Sequence, residues 1–139
     1  MFKTFQIIKR DKNDKIVYIT EIHCTRGDKG KIDVKVPISF DADDNPTQFY
    51  KFVKGDRVSL NVKQDFSKTE FSMKKEVTVT ETTETVTFNL TKDDTAFGEL
   101  IKKPKNFVYD IVLNDDETLI GYDDLGPRLF VLYPESDGE

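Results

Sequence analysis

The stretch Asn106–Tyr133, NFVYDIVLNDDETLIGYDDLGPRLFVLY, decides the fold. Phe107, Tyr109, Ile111 and Leu113 alternate with Val108, Asp110, Val112 and Asn114, the period of a strand with one dry and one wet face. Asn114-Asp115-Asp116-Glu117 has turn chemistry, and Thr118–Tyr122 returns as a second β-prone run. After a loop through Gly126-Pro127, Arg128–Tyr133 forms a third strand. Strands this apolar need a second layer to cover them, and Val108, Val112 and Ile120 are expected opposite the core face.

The remainder of the chain reads as that layer. Phe2–Lys9 and Lys15–Ile22 flank the turn Arg10–Asp14 and form a hairpin; Thr25-Arg26-Gly27-Asp28 ends it. Lys31–Ile38 alternates cleanly, with Ile32, Val34, Val36 and Ile38 on one face. Pro37 has no N–H for a ladder, so this strand ends there or lies at an edge. Phe40–Thr47 is a polar loop, Phe49–Val53 a short aromatic strand, Lys54-Gly55-Asp56 a turn, and Arg57–Lys63 alternates again. Residues 64–72 form a loop tied down by Phe66 and Phe71. Met73–Thr80 and Glu84–Leu90 are rich in β-branched residues, which suit a pleated surface and disfavour helix. Only Thr91–Phe97 has helical signals: Thr91 and Asp94 stand at capping-box spacing, and Gly98 and Pro104 limit the helix to about two turns.

Many short strands between turn signals argue an all-β sandwich or barrel; helices are too few for alternating strand–helix units. The chain of 139 residues is most economically one domain. The expected layout is an N-terminal extension over 1–24 that forms a hairpin, a sandwich over 25–133 and a loose tail over 134–139. Cys24 is the only cysteine, so no intrachain disulfide forms, and a reducing compartment is expected. The net charge of −5 gives no footprint for nucleic acid or anionic membrane. No apolar run reaches the roughly 18 residues of a membrane span, and the N-terminus lacks the pattern of a signal peptide.

Few residue groups invite a chemical reading. His23-Cys24 places an imidazole beside a thiol, but neighbours on a strand point to opposite faces, so the pair is expected to be structural. Asp41-Ala42-Asp43-Asp44-Asn45 opens like a calcium loop, yet Pro46 and Phe52 stand where glycine and glutamate are needed. Asp115-Asp116-Glu117 and Asp123-Asp124 are further carboxylate clusters, expected as solvated turns. Arg26-Gly27-Asp28 spells a receptor-recognition tripeptide and is expected as a turn, since three residues specify little. No catalytic, cofactor-binding or metal-binding residue is therefore assigned. Nothing selects an acid pair for glycoside hydrolysis from the 26 acidic residues. The protein is expected not to be an enzyme and to need no cofactor.

The ordered set of motifs resembles the immunoglobulin-like N-terminal domain of phage baseplate upper proteins and related phage tail and head-fibre structural proteins. The residues are Thr25-Arg26-Gly27-Asp28, then Phe49–Val58, Lys74-Lys75 with the Val/Thr strand after them, Thr85–Leu90 followed by Thr91–Thr95, Phe107–Leu113, Thr118-Leu119-Ile120 and Phe130-Val131-Leu132, covering about residues 25–133. The resemblance implies an immunoglobulin-like β-sandwich of seven to nine strands with one short helical turn. It also implies a non-enzymatic virion structural protein, made in the host cytoplasm. Such a protein would be a baseplate or tail adaptor, or a capsid decoration or head-fibre anchor. Its expected partners are other virion proteins, bound through strand edges and loops in a symmetric multi-copy assembly, with no nucleic acid, membrane or small-molecule substrate. A carbohydrate- or calcium-binding accessory module is the alternative.

Overall fold

The computed structural model describes residues 6–10, 16–19, 21–43, 46–65, 67–98, 102–122 and 126–135. Outside them lie Phe2, Phe5, most of the Arg10–Asp14 turn, Asp44 and Asn45, Phe66, Asp123-Asp124 and the tail after Glu135.

The chain folds around strand β10 (Lys105–Leu113), where Phe107, Tyr109, Ile111 and Leu113 are buried as their alternation predicts. Strand β7 (Arg57–Lys63) runs antiparallel along one edge of β10, from Val108 opposite Lys63 to Leu113 opposite Val58. The other edge is shared in series. Strand β12 (Leu129–Tyr133) pairs with Lys105–Val108, and β11 (Glu117–Ile120) pairs with Ile111–Leu113. Strand β3 (Ile22–Thr25) adds in parallel beyond β12, and β8 (Met73–Thr78) adds beyond β7. The second sheet has the order β2-β1-β4-β9, formed by β1 (Gln6–Arg10), β2 (Ile16–Ile19), β4 (Gly30–Lys35) and β9 (Val86–Leu90).

Facing residues of the two sheets make the core. Val34, Val86, Phe88 and Leu90 meet Leu60, Val62, Tyr109, Ile111, Phe130 and Leu132, all buried. The chain is therefore an all-β sandwich. Strands β1, β4 and β9 pair in the order of immunoglobulin strands A, B and E, and β12-β10-β7-β8 in the order G, F, C and C′. The described part of residues 1–24 enters both sheets. Strand β1 lies between β2 and β4, while β3 joins the sheet of β10. The run read as a single strand over Lys15–Ile22 is thus divided, because the chain changes sheets between Ile19 and Ile22.

Pro37 divides Lys31–Ile38 as well. β4 stops at Lys35, and β5 (Pro37–Phe40) starts a separate two-stranded ribbon with β6 (Pro46–Phe49). Val34 and Val36 stay in the core, but Ile38 is 48% exposed, so the expected shared face ends at the proline. The expected strand Phe49–Val53 is divided: Phe49 ends β6, and beyond it only Phe52 pairs, in a single bridge with Thr83, with Phe52 buried and Val53 exposed. These divisions give twelve strands among the described residues, more than turn spacing alone separates.

Helix α1 (Lys92–Thr95) is one turn long. The Asp94 N–H donates to Thr91 Oγ1 at 3.1 Å and the Thr91 N–H donates to Asp94 Oδ2 at 2.8 Å, the capping box expected from the sequence. The helix stops early because Phe97 turns inward, edge-on to Phe107 with ring centroids 5.0 Å apart, and Gly98 takes φ +74°.

Ile111 is fully buried on the most heavily paired strand. Ile111→Ala is expected to lower unfolding stability by about 2–5 kcal/mol, read as a reduced urea midpoint. A loss of under about 0.5 kcal/mol, typical of surface sites, would show that the sheets do not enclose this position.

Candidate functional site

The Arg26-Gly27-Asp28 turn begins where β3 ends. The Arg26 N–H donates to the Tyr133 carbonyl at 2.9 Å, extending the parallel ladder, and the Asp28 N–H closes the turn on Thr25 O at 3.1 Å. Gly27 sits at φ +84°, and a Cβ there would come to 3.4 Å from Glu135 Oε1, so the position suits glycine twice over. The Arg26 guanidinium turns inward. Nε donates to Phe97 O at 3.2 Å, and Nη2 to Ala96 O at 3.0 Å and Gly98 O at 3.3 Å. Nη1 meets Glu135 Oε1 at 2.6 Å.

The cause is the end of α1. The three acceptors are the C-cap Ala96 and the two residues after it, where the chain leaves the helix without a ladder, and the planar guanidinium fork reaches them together. Return bonds complete the clamp: Thr95 Oγ1 donates to Asp28 O at 2.6 Å and the Gly27 N–H to Thr95 O at 3.4 Å. Lys75 of β8 adds an ion pair to Asp94 at 2.8 Å. Burial pushes the Asp94 carboxyl up, but the hydrogen bonds from Lys75 and Thr91, with the Lys75 charge, outweigh it and hold the carboxyl below its ordinary value. The tripeptide is a structural turn whose arginine side chain is only 17% exposed.

His23 and Cys24 diverge as strand geometry requires. His23 faces outward, with Nδ1 2.7 Å from the Tyr133 hydroxyl, Nε2 3.0 Å from Glu21 Oε1, and its ring stacked on that of Tyr133. If Nε2–H donates to the carboxylate, Nδ1 accepts from the phenol, so the three groups form one chain across the β3–β12 pair. Cys24 faces the core. Burial, with the Asp28 charge adding to it, pushes its thiol up to about 11. A thiol so placed is protonated near neutral pH and has no imidazole beside it to act as a base.

The acidic turns bind their own backbone. Asp41 Oδ1 accepts from the Asp43 N–H at 2.9 Å, and Asp56 Oδ2 from the Val53 N–H at 2.9 Å. At the β10–β11 turn, Asn114 and Asp115 have φ +51° and +68°, and the Asp116 N–H donates to Leu113 O at 3.2 Å. The two positive φ values are those of a type I′ turn, and the ladder resumes with Glu117 opposite Leu113, so three residues form the loop. Asn114 Oδ1 accepts from the Arg57 N–H at 2.9 Å, its Nδ2 donates to Asp56 Oδ1 at 3.2 Å, and Asp115 pairs with Arg57 at 2.7 Å. Among the described residues, no three His, Cys, Asp or Glu side chains gather as a metal-binding group.

Sequence reasoning missed several features. On the outer face of β10, Asn61 Nδ2 donates to Asp110 Oδ1 at 2.8 Å and to Ser59 Oγ at 3.2 Å, with Ser59 and Asn61 buried. Val108 and Val112 share that face as expected. Ile120 does not: the ladder shifts between Ile111 and Val112, which sends both Leu119 and Ile120 into the core. Arg128 is buried beside Tyr109, whose phenol is pushed far up by burial, with the Arg128 charge opposing and Glu21 adding. At the start of β10 the exposed residues Lys102, Lys103, Pro104 and Lys105 border a shallow, open surface depression.

Fold and site define the class as an all-β sandwich with immunoglobulin-like strand order, clamped at both ends by side chain–main chain bonds. Comparison with known protein families, with curated proteins and with solved structures finds no match to the chain.

Arg26→Ala is expected to destabilise the fold by about 2–4 kcal/mol, because it strips charged donors from part-buried carbonyls and leaves Glu135 unpaired. Arg26→Lys should recover only part of this, since one ammonium cannot reproduce the fork. Equal thermal midpoints for wild type and the alanine variant would show that the fork holds nothing. For Cys24, the raised thiol implies a thiolate fraction at pH 8 about 100-fold below that of the unfolded chain. Iodoacetamide labelling should accordingly be slow in buffer and rapid in denaturant; equal rates would place the thiol in water.

Proposed function

We propose that the chain is a non-enzymatic structural protein of a phage particle, either a baseplate or tail adaptor or a capsid decoration or head-fibre anchor. It binds other virion proteins through strand edges and loops, in several symmetric copies. One observation carries the reading: motifs far apart in the sequence, on which the resemblance rests, hold one another in space. Arg26-Gly27-Asp28 is bonded to the Thr91–Gly98 segment through Arg26 and Thr95. Gly55-Asp56-Arg57 is bonded in the same way to the turn that follows Phe107–Leu113, through Asn114.

A chance set of short motifs has no reason to pair off like this. Motifs that are the fastenings of one sandwich do, and this supports reading them as the signature of a shared fold. Contact surface is available at β3, the last strand of its sheet in the described residues, where His23 faces outward and the exposed Glu21 lies just before the strand. An edge strand offers main-chain donors and acceptors to a neighbour's sheet.

Mass spectrometry of purified particles from infected host cells is expected to find this chain, and cross-linking to join it to other virion proteins. Particles that lack the chain would falsify the virion assignment and leave the fold untouched.

A further inference from the structure

The outward face of β7 and β8 holds a buried acceptor with nothing bonded to it. Asn61 is 6% exposed, and its Oδ1 has no hydrogen-bond partner among the described residues. Turning the amide over does not cure this, because Nδ2 donates to Asp110 Oδ1 at 2.8 Å and a carboxylate only accepts. Nδ2 thus points toward β10 and, through Ser59 Oγ at 3.2 Å, back along β7. The two arms of a planar amide diverge, so Oδ1 is turned toward β8 and onward along β7. Register fills that quarter. Lys74 stands directly opposite Asn61 on β8, and Lys63 lies two residues on, on the same face of β7.

Neither ammonium group bonds the oxygen. Both lie over the Phe71 ring instead, with Nζ at 5.0 and 5.1 Å from its centroid, so two positive charges stand close to one point. Among the described residues neither lysine pairs with a carboxylate. Phe71 is 46% exposed and Lys74 is exposed, so the group opens to solvent. Two unpaired cations ask for a small anion. A buried acceptor without a partner asks that the same ligand carry a donor.

We propose that Lys63, Lys74 and Asn61 form a binding site for a phosphate group that keeps a hydroxyl, as free phosphate or as a phosphate monoester. The ammonium groups swing from the ring to the oxyanion, and the phosphate hydroxyl donates to Asn61 Oδ1. A lysine stem has the length and rotational freedom for this, and its hold on an exposed ring is weaker than a charge-assisted hydrogen bond. Sulfate has the shape and charge but no hydroxyl to give. The site goes beyond the structural role proposed above and does not depend on it.

Isothermal titration calorimetry of the full chain tests it at pH about 6, near the second ionisation of a phosphate monoester, with sodium phosphate, glycerol phosphate and sodium sulfate compared at one ionic strength. Phosphate is expected to bind about tenfold tighter than sulfate, the worth of one hydrogen bond to a buried acceptor. Glycerol phosphate bound as tightly as inorganic phosphate assigns the site to an esterified ligand; weaker binding assigns it to the free anion. Lys63→Met and Lys74→Met, which leave an apolar stem beside Phe71, should each weaken phosphate binding and together abolish it. The sulfate comparison reads Asn61 Oδ1 in the wild-type chain, so it needs no substitution at a buried position. Absence of phosphate binding, sulfate bound as tightly as phosphate, or binding unchanged in the double methionine variant overturns the proposal.

Discussion

Strand β10 must find partners for its main-chain groups on both edges over nine residues, most of them next to the core. An unpaired N–H or C=O there costs on the order of 1–3 kcal/mol, so the requirement is strict. β7 meets it on one side. On the other side no single strand spans the length, and β12 and β11 leave a gap around Tyr109. The gap is closed by the segment joining them: the Tyr109 N–H donates to the Arg128 carbonyl at 3.0 Å. That bond fixes where the chain must cross, and the crossing has consequences of its own. A Cβ at Gly121 would meet Thr118 Cγ2 at 2.9 Å and Asp110 Cβ at 3.5 Å, so the return path lies flush against the strand. Arg128 is buried by the same route.

With β10 fixed, the loops at either end need anchoring, because turns have no ladder to satisfy their backbone. The chain does this with side chains. At one end the Arg26 fork takes three carbonyls at the exit of α1, and Thr95 and Gly27 bond back. At the other, Asn114 stands in for a strand residue, bonding Arg57 through side chain and main chain together. Each clamp joins segments more than fifty residues apart in sequence. Long-range bonds of this kind hold the sheets in register where the hydrophobic core, which is not directional, cannot.

What was legible from sequence was local. The alternation of Phe107 to Leu113 gave β10 its faces, because a period of two is written residue by residue. The capping box at Thr91 and Asp94 and the turn at Asn114-Asp115 were legible for the same reason. The parallel pairing of β3 with β12 was not, since nothing in Ile22–Thr25 names a partner over a hundred residues away. Pro37 announced an interruption but not that a separate ribbon would follow, which left Ile38 on the wrong face. Ile120 was misplaced because a shift of one residue in a ladder moves a side chain to the other face, and the shift depends on what β11 must cover. Asn61 and Asp110 each read as ordinary wet positions; only register makes them neighbours.

The charged residues at the two ends of the sheet follow from the same local rules. Tight turns with positive φ favour Asn and Asp, and turns that bond their own backbone favour Asp again, as at Asn114-Asp115 and Asp56 at one end of β10 and at Asp65 at the other. The Asp65 end also holds the exit of the helix, where bare carbonyls favour a cation, and Arg26 is what the fold requires there. Lys63 and Lys74 reinforce that sign by lying over the Phe71 ring at 5.0 and 5.1 Å, and Lys105 by lying over Phe107 at 5.2 Å. Each contact keeps a charged head at the surface while its stem covers apolar area.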